Sequence, residues 1–122
     1  MYRVVADTHF SAAHRLREYD GECEALHGHN WKVAAQVAAE SLDKLGMVVD
    51  FKVLKRALNG IIQRLDHKYL NDIPPFDTLN PSSENLARHI FYELRKTIDT
   101  KELRVTQVTV WESEGSAAIY SE

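Results

Sequence analysis

A strict alternation over residues 31–39 is the feature that most constrains how this chain folds. Every second position is apolar; these positions are Trp31, Val33, Ala35, Val37 and Ala39. Because successive side chains of a β-strand point to opposite faces, the pattern predicts a strand that starts near His29 and has one buried face. A strand of this kind needs partner strands and a covering layer from the rest of the chain.

Further strand signals lie on both sides of this segment. Residues 2–14 predict a first strand, with one set of side chains on a common side unless a bulge intervenes: Val4, Phe10, Ala12 and His14. Residues 45–49 predict a short extended piece. A final hairpin is predicted over 103–112 and 116–120, with its turn at Gly115.

Two amphipathic helices are predicted between the strand pairs. Asp50 caps a helix over 51–65, residues 66–79 form a loop, and Ser82 caps a second helix. The order ββααββ predicts a single α+β domain over residues 1–122. Its four-stranded antiparallel sheet would carry both helices on one face. The open sheet edges and the uncovered face lead us to expect a symmetric oligomer.

Charge and composition narrow the possible partners and setting. The formal net charge of 122 residues is −3 and no basic stripe is present, which argues against a nucleic-acid partner. No apolar run approaches the roughly 20 residues that span a bilayer, and residues 1–7 do not resemble a signal peptide. A single cysteine suits a reducing compartment, so we expect a cytoplasmic protein with no membrane partner.

The segment before the alternating strand contains the pattern of a metal site. His27 and His29 lie two residues apart around Gly28, so an extended backbone places both imidazoles on one side. An antiparallel pairing with the first strand would return His14 to the same place. Three histidine nitrogens leave one position open, which is typical of catalytic rather than structural zinc. The alternative is a turn with incidental histidines, and imidazole also suits other transition metals.

Cys23 lies four residues before His27 and allows three interpretations. It is an inert thiol, a fourth ligand that closes a structural zinc site, or a base or nucleophile acting on a molecule bound at the metal. The spacing alone does not choose among the three.

Two acidic positions and three further histidines complete the set of candidates. Asp66-His67 follows the first helix, where a histidine commonly interacts with the helix C-terminus; alternatively the carboxylate orients the imidazole for proton transfer. Glu112 shares the side of Val108 and Val110, either reaching solvent or clamping a heterocycle with adjacent N–H donors. His9 falls within the first strand and His89 on the polar side of the second helix, and both are interpreted as ordinary.

With these residues identified, the chain resembles the 6-pyruvoyl-tetrahydropterin synthase / 6-carboxy-tetrahydropterin synthase family along essentially its whole length. Six motifs in order carry the resemblance: Phe10-Ser11-Ala12-Ala13-His14-Arg15-Leu16, Cys23-x-x-x-His27-Gly28-His29-Asn30, Gly46-Met47-Val48-Val49-Asp50-Phe51, Leu65-Asp66-His67-x-x-Leu70-Asn71, Asn80-Pro81-Ser82-Ser83-Glu84-Asn85 and Val110-Trp111-Glu112. The resemblance implies the tunnelling fold, whose ββααββ units form a barrel as trimers and stack into hexamers.

The resemblance also implies a role for each candidate. His14, His27 and His29 match zinc ligands, and Cys23 matches the catalytic proton acceptor. Asp66 and His67 match the assisting relay, Glu112 matches the pterin anchor, and Ser82 and Ser83 fall where the family lines the pterin pocket; Ser82 stands where threonine is common. Active sites of the family lie between subunits, so Cys23 and His67 would meet across an interface.

Two reactions are found within this family, and both start from 7,8-dihydroneopterin triphosphate. One branch eliminates triphosphate to give the pyruvoyl product, whereas the other also releases acetaldehyde and leaves 6-carboxy-tetrahydropterin for queuosine and other deazapurines. The three residues between Cys23 and His27 match the carboxy branch. The alternatives are 6-pyruvoyl-tetrahydropterin synthase and a non-catalytic zinc-stabilised binding module.

Overall fold

A computed structural model describes all residues, 1–122. The elements in chain order are β1 (Tyr2–His14), β2 (His27–Ala39), α1 (Phe51–Ile62), β3 (Lys68–Tyr69), a 3-10 turn (Leu70–Asp72), α2 (Ser83–Ile98), β4 (Arg104–Ser113) and β5 (Ser116–Ser121). They form one sheet in the order β3-β1-β2-β4-β5, in which only β3 runs parallel to its neighbour. The predicted α+β class is confirmed. No helix is both long and apolar enough to cross a bilayer.

The register between β1 and β2 is the part of the fold that positions the site. It runs without a bulge from Tyr2 opposite Ala39 to His14 opposite His27. The predicted faces of both strands are confirmed, because Phe10, Ala12, His14 and the alternating residues of β2 from Trp31 to Ala39 are buried. The sheet does contain bulges, but they lie where β4 pairs with β2 and with β5.

Both helices cover this buried face of the sheet. Helix α1 contacts β1, and α2 contacts β4, β5 and α1. The caps agree with the sequence, since Asp50 accepts the Lys52 N–H at 2.8 Å and Ser82 accepts the Asn85 N–H at 3.2 Å. A single core of 25 buried residues joins the layers, with the Phe10 and Trp31 rings stacked at 5.9 Å. On the other face of the sheet, Val5 and Ile119 are exposed.

The segment between the helices differs from the predicted loop. The sheet has five strands rather than four and is mixed, because β3 pairs with Ala12 and Ala13 of β1. Ser11 draws the chain to this edge: its carbonyl accepts the His67 N–H and its N–H donates to Asp66 at 2.9 Å. Helix α1 accordingly ends at Ile62, three residues before the predicted end.

The extended piece predicted over residues 45–49 is wrong. Asp43 closes a turn there, because its side chain accepts the N–H groups of Leu45 at 2.8 Å and Met47 at 3.0 Å. Gly46 lies in this turn with a φ of 80°, a conformation that glycine adopts without strain. The apolar run of this segment therefore reflects packing against the core, where Val48 is buried, and not pairing in the sheet.

His89 is not on a solvated face of α2 as the sequence suggests. It is half-buried, and its ring packs edge-on against the buried Phe76 at 5.2 Å. Burial lowers the pKa of His89; Glu93 acts in the opposite direction, and Arg64 and Lys96 reinforce the effect of burial. The folded protein therefore favours the neutral imidazole.

This environment predicts an acid-sensitive contribution to stability. The folded pKa lies below the unfolded value of about 6.5, so the unfolded chain takes up a proton first as the pH falls, and stability is lost below that value. We expect the metal-free His89→Leu variant to lose less unfolding free energy than wild type between pH 7.5 and 5.5, measured by urea denaturation. The exposed His9→Leu variant serves as the control and should follow wild type. Parallel losses in wild type and His89→Leu would contradict the prediction.

Candidate metal and substrate site

Three histidines converge at one end of the β1–β2 pair. His14 lies opposite His27, and His29 lies opposite Ala12, so all three side chains share the core-facing side of the sheet. One ligand atom each from His14, His27, His29 and Glu112 lies within 4.8 Å of the others. The rings of His14 and His29 also meet the edge of buried Trp31 at 4.9 and 5.1 Å. The antiparallel register thus brings the three imidazoles together, with two of them packed against the buried Trp31 ring.

The hydrogen bonds of two histidines leave their inner nitrogens free to bind a cation. His14 Nδ1 donates to the Pro81 carbonyl and His27 Nδ1 to the Ala25 carbonyl, both at 2.8 Å. With the proton on Nδ1, each Nε2 presents a lone pair, and the two Nε2 atoms lie 3.1 Å apart. Two facing lone pairs repel one another unless a proton or a metal ion lies between them.

His29 supplies the third free nitrogen of the cluster. Its Nε2 is buried and has no hydrogen-bond partner, because Glu112 Oε1 is 3.3 Å away but outside hydrogen-bonding geometry. Burial lowers the pKa of His29; Glu112 acts in the opposite direction, and His14 and His27 lower it further. The neutral imidazole, which is the form that binds metals, is therefore favoured.

The donor set fits a divalent metal ion. Nitrogens bound to a tetrahedral zinc at about 2.0–2.1 Å lie about 3.3 Å apart, close to the observed spacing of the His14 and His27 Nε2 atoms. The unpartnered His29 nitrogen would complete three imidazole ligands. The fourth member of the cluster is Glu112, whereas Cys23 is exposed and lies outside it. The geometry thus gives no support to Cys23 as a closing ligand.

Glu112 lies at the end of β4, beside the hairpin turn. The register of β4 with β5 shifts between Trp111 and Ser113, on either side of Glu112. Glu112 keeps the side of Val108 and Val110, as the alternation indicates, and also reaches Ser83 Oγ at 3.4 Å. Sequence reasoning identified Glu112 but not its contact with His29, because that contact depends on the pairing of β2 with β4.

A cavity of about 280 Å³ opens beside the cluster at the start of α2. Its lining includes His14, His27, Ser82 and Ser83, so the two predicted serines lie next to the histidines. Three glutamates also line it, namely Glu24, Glu84 and Glu112, and no lysine or arginine does. Glu24 and Glu84 were not among the predicted site residues, although each stands beside one of them in sequence. The cavity therefore disfavours anionic ligands and favours groups that offer N–H donors.

A second cavity, of about 510 Å³, is lined by one histidine of the cluster and by the histidine that follows Asp66. Both His29 and His67 line it, together with Lys68 and Tyr69. Asp66 lies 3.0 Å from His67 Nδ1, and the pKa of Asp66 is lowered, chiefly by the Ser11 N–H and further by His67. His67 is exposed, and Ser11 rather than the end of α1 accepts its backbone N–H. The two side chains are therefore in contact, and a role of the pair in proton transfer stays a prediction.

Cys23 lies outside the cluster in a single chain. It lies in the connection between β1 and β2, is exposed, and lines neither cavity. Its neighbour Glu24 does line the first cavity and lies 3.8 Å from His27 Nδ1. The Cys23 thiol is therefore one residue away from the cavity lining in sequence but is not part of that lining.

Comparison with known proteins places this arrangement in a family. Residues 3–122 match the family described as 6-pyruvoyl tetrahydropterin synthase. The chain is 37% identical over 126 residues to the 6-carboxy-5,6,7,8-tetrahydropterin synthase of Bacillus subtilis, covering 98% of this chain and 84% of that protein. It is 34% identical over 110 residues to the dihydroneopterin monophosphate aldolase of Pyrococcus furiosus, covering 90% and 89%.

The fold agrees with this assignment. The structure of Caenorhabditis elegans 6-pyruvoyl tetrahydropterin synthase superimposes with a TM-score of 0.85 at 25% identity, covering 99% of this chain and 95% of that one. The resemblance inferred from the six motifs, and the tunnelling fold that it implies, are both confirmed. The chain belongs to the 6-pyruvoyl tetrahydropterin synthase family.

Proposed function

We propose that this protein is a cytoplasmic, zinc-dependent lyase that converts 7,8-dihydroneopterin triphosphate and water into 6-carboxy-5,6,7,8-tetrahydropterin, acetaldehyde and triphosphate, a step toward queuosine and related deazapurines. The observation that carries the proposal is the cluster of three imidazoles whose inner nitrogens are free, beside a cavity lined by Glu112 and Ser83. The B. subtilis relative has the name of this activity.

The first cavity supports binding of the pterin ring. A reduced pterin presents adjacent N–H groups, and a carboxylate accepts two such donors side by side. Glu112 would be this anchor, with Ser82 and Ser83 completing the lining. Glu24 and Glu84 would repel phosphate groups, so the triphosphate would lie outside this cavity. Lys68, which lines the second cavity, is the only lysine or arginine in the two linings.

His14, His27 and His29 would hold the metal. A zinc ion there supplies Lewis acidity toward the side-chain hydroxyls of the substrate, which makes the neighbouring C–H bond more acidic. The protein's own residues then move the proton. Cys23 as thiolate accepts it from carbon, and His67, oriented by Asp66, passes it on. Glu112 orients the ring without breaking a bond.

Because Cys23 lines neither cavity of a single chain, we propose that a neighbouring subunit completes the site. The uncovered sheet face and the free edge of β5 are surfaces through which copies could associate. The hexamer, a dimer of trimers implied by the resemblance, is part of this proposal. The assembly would bring Cys23 of one subunit toward His67 of another.

The choice of the carboxy reaction rests on the three residues between Cys23 and His27 and on the name of the B. subtilis relative. A second candidate function is aldol cleavage of a dihydroneopterin phosphate, the activity named for the P. furiosus relative. Glu24 favours it, because a second potential base lines the first cavity 3.8 Å from His27.

Product analysis separates these reactions. We expect the zinc-loaded protein, incubated with 7,8-dihydroneopterin triphosphate, to release one acetaldehyde per pterin consumed, measured by NADH oxidation with alcohol dehydrogenase. Mass spectrometry should identify the 6-carboxy product. Triphosphate release without acetaldehyde would instead indicate the pyruvoyl reaction.

Dihydroneopterin monophosphate serves as the second substrate. Cleavage with release of a phosphorylated two-carbon aldehyde, lost in Glu24→Gln but kept in Cys23→Ala, would support the aldolase function. If neither substrate is consumed by zinc-loaded protein, both functions are excluded, and the non-catalytic zinc-stabilised module is favoured.

A further inference from the structure

We infer that Asn71 and Asn80 are positioning residues for the metal cluster, and that they act by extending the edge of β1 beyond His14 with side-chain amides in place of a strand. The inference rests on the proposed function, since it assigns these residues to the metal-binding geometry. Both residues occur in the motifs of the chain, yet none of the steps proposed above uses them.

The hydrogen bonds of the two amides follow the spacing of a strand pair. Asn71 accepts the Arg15 N–H at 3.0 Å through Oδ1 and donates to the Arg15 carbonyl at 2.8 Å through Nδ2. Asn80 does the same for Arg17, at 2.9 and 3.2 Å. An antiparallel neighbouring strand would bond alternate residues, such as 15 and 17, in the same way, because each bonded residue offers one backbone donor and one acceptor. β3 pairs with Ala12 and Ala13, and the amides continue along the chain from there.

The side chain of Arg17 also links residues 15–17 to residues 71–80, here with Arg17 as the donor. Its guanidinium donates to the carbonyls of Phe76 at 2.6 Å, Asn71 at 3.1 Å and Leu79 at 3.4 Å. Asn71 is buried, with only 6% of its surface exposed, so its amide cannot exchange these partners for water without a structural change. Residues 15–17 and 71–80 therefore form one hydrogen-bonded unit.

This unit connects His14 to Pro81, the residue whose carbonyl orients the His14 imidazole. His14 directly precedes Arg15, and Pro81 directly follows Asn80. The Pro81 carbonyl accepts the His14 Nδ1–H at 2.8 Å, and this bond directs His14 Nε2 toward the cluster. If the amides release the backbone, Pro81 and His14 can shift relative to each other and the imidazole loses its orientation. Outer partners of this kind typically contribute 10- to 100-fold to metal affinity.

The same unit supports the connection that carries Cys23. Leu16, between the two clamped arginines, donates its N–H to Glu24 at 3.2 Å, and its carbonyl accepts the Glu24 N–H at 2.9 Å. The amides therefore fix both the base of this connection and the ligand next to it. Loss of the amides should therefore disturb both the connection that carries Cys23 and the position of His14.

The test compares zinc affinity with stability in matched variants. Asn80→Ala removes both bonds to Arg17, whereas Asn80→Asp keeps the acceptor for the Arg17 N–H and loses the donor. Asp43→Ala is the control, because it also removes two side-chain bonds to backbone, in a turn outside both cavities. Zinc Kd is measured by chelator competition, melting temperature on metal-free protein, and site geometry from the cobalt(II) absorption spectrum.

We expect both Asn80 variants to bind zinc about 10- to 100-fold more weakly than wild type and to change the cobalt spectrum. Asp43→Ala should lower the melting temperature yet keep wild-type affinity and spectrum. If Asn80→Ala does not fold, Asn80→Asp decides the question by the same measurements. Wild-type affinity in the folded Asn80 variants, or an equal loss in Asp43→Ala, overturns the inference alone. Absence of zinc binding by wild type would overturn the proposed function as well.

Discussion

Replacing His29 by alanine is expected to remove the metal and almost all turnover. His29 Nε2 is buried without a hydrogen-bond partner, so the protein keeps an unsatisfied polar atom at the centre of the cluster unless a metal binds it. Loss of one of three imidazoles leaves two ligands, too few for a stable catalytic site. Because a catalytic metal ion typically supplies several kcal/mol of charge stabilisation, the proposed function predicts a fall in turnover of roughly 10³-fold or more.

Metal content and stability together make this prediction decisive. We expect about one zinc per chain in wild type and almost none in His29→Ala, measured by elemental analysis after dialysis. The metal-free variant should melt close to metal-free wild type, because removal of an unpaired buried nitrogen offsets the lost packing of the ring on Trp31. His9→Ala, an exposed histidine on the other face of β1, is the control and should keep both zinc and activity. Full zinc content in His29→Ala would remove His29 from the ligand set.

The part of the site that local pattern determines was predictable from sequence. Alternation gave the faces of β1 and β2, and antiparallel pairing of two successive strands brings His14 to His27 because the register is continuous between them. Local reasoning also identified Ser82 as the N-cap of α2, and Ser82 lines the first cavity. Each of these inferences needs only the period of a strand or the chemistry of a helix terminus.

The parts that escaped prediction depend on contacts between segments distant in sequence. The approach of Glu112 to His29 requires the register of β2 with β4, which the local pattern does not specify. β3 is two residues long and forms because Asp66 and His67 bond Ser11, so no alternation could indicate it. His89 packs on Phe76 from the preceding loop, which a helical pattern within α2 alone cannot show.

Cys23→Ala should separate metal binding from proton transfer. The thiol is exposed and outside the cluster, so its removal should leave zinc content unchanged. If Cys23 is the base, turnover of 7,8-dihydroneopterin triphosphate should fall by about 10²- to 10⁴-fold, the usual contribution of a positioned base. KM should change little, because Glu112, the proposed ring anchor, and the histidines remain.

Cobalt substitution tests the remaining interpretations of Cys23. The catalytic interpretation predicts no thiolate-to-cobalt band in wild type and identical spectra in wild type and Cys23→Ala, because the thiol is not a ligand. A band that disappears in the variant would make Cys23 the ligand of a closed site. Glu22→Ala alters the same exposed connection without touching the thiol and should retain full turnover. Should Cys23→Ala also retain full turnover with zinc bound, the thiol is inert, and Glu24, which lines the cavity beside His27, becomes the base to test.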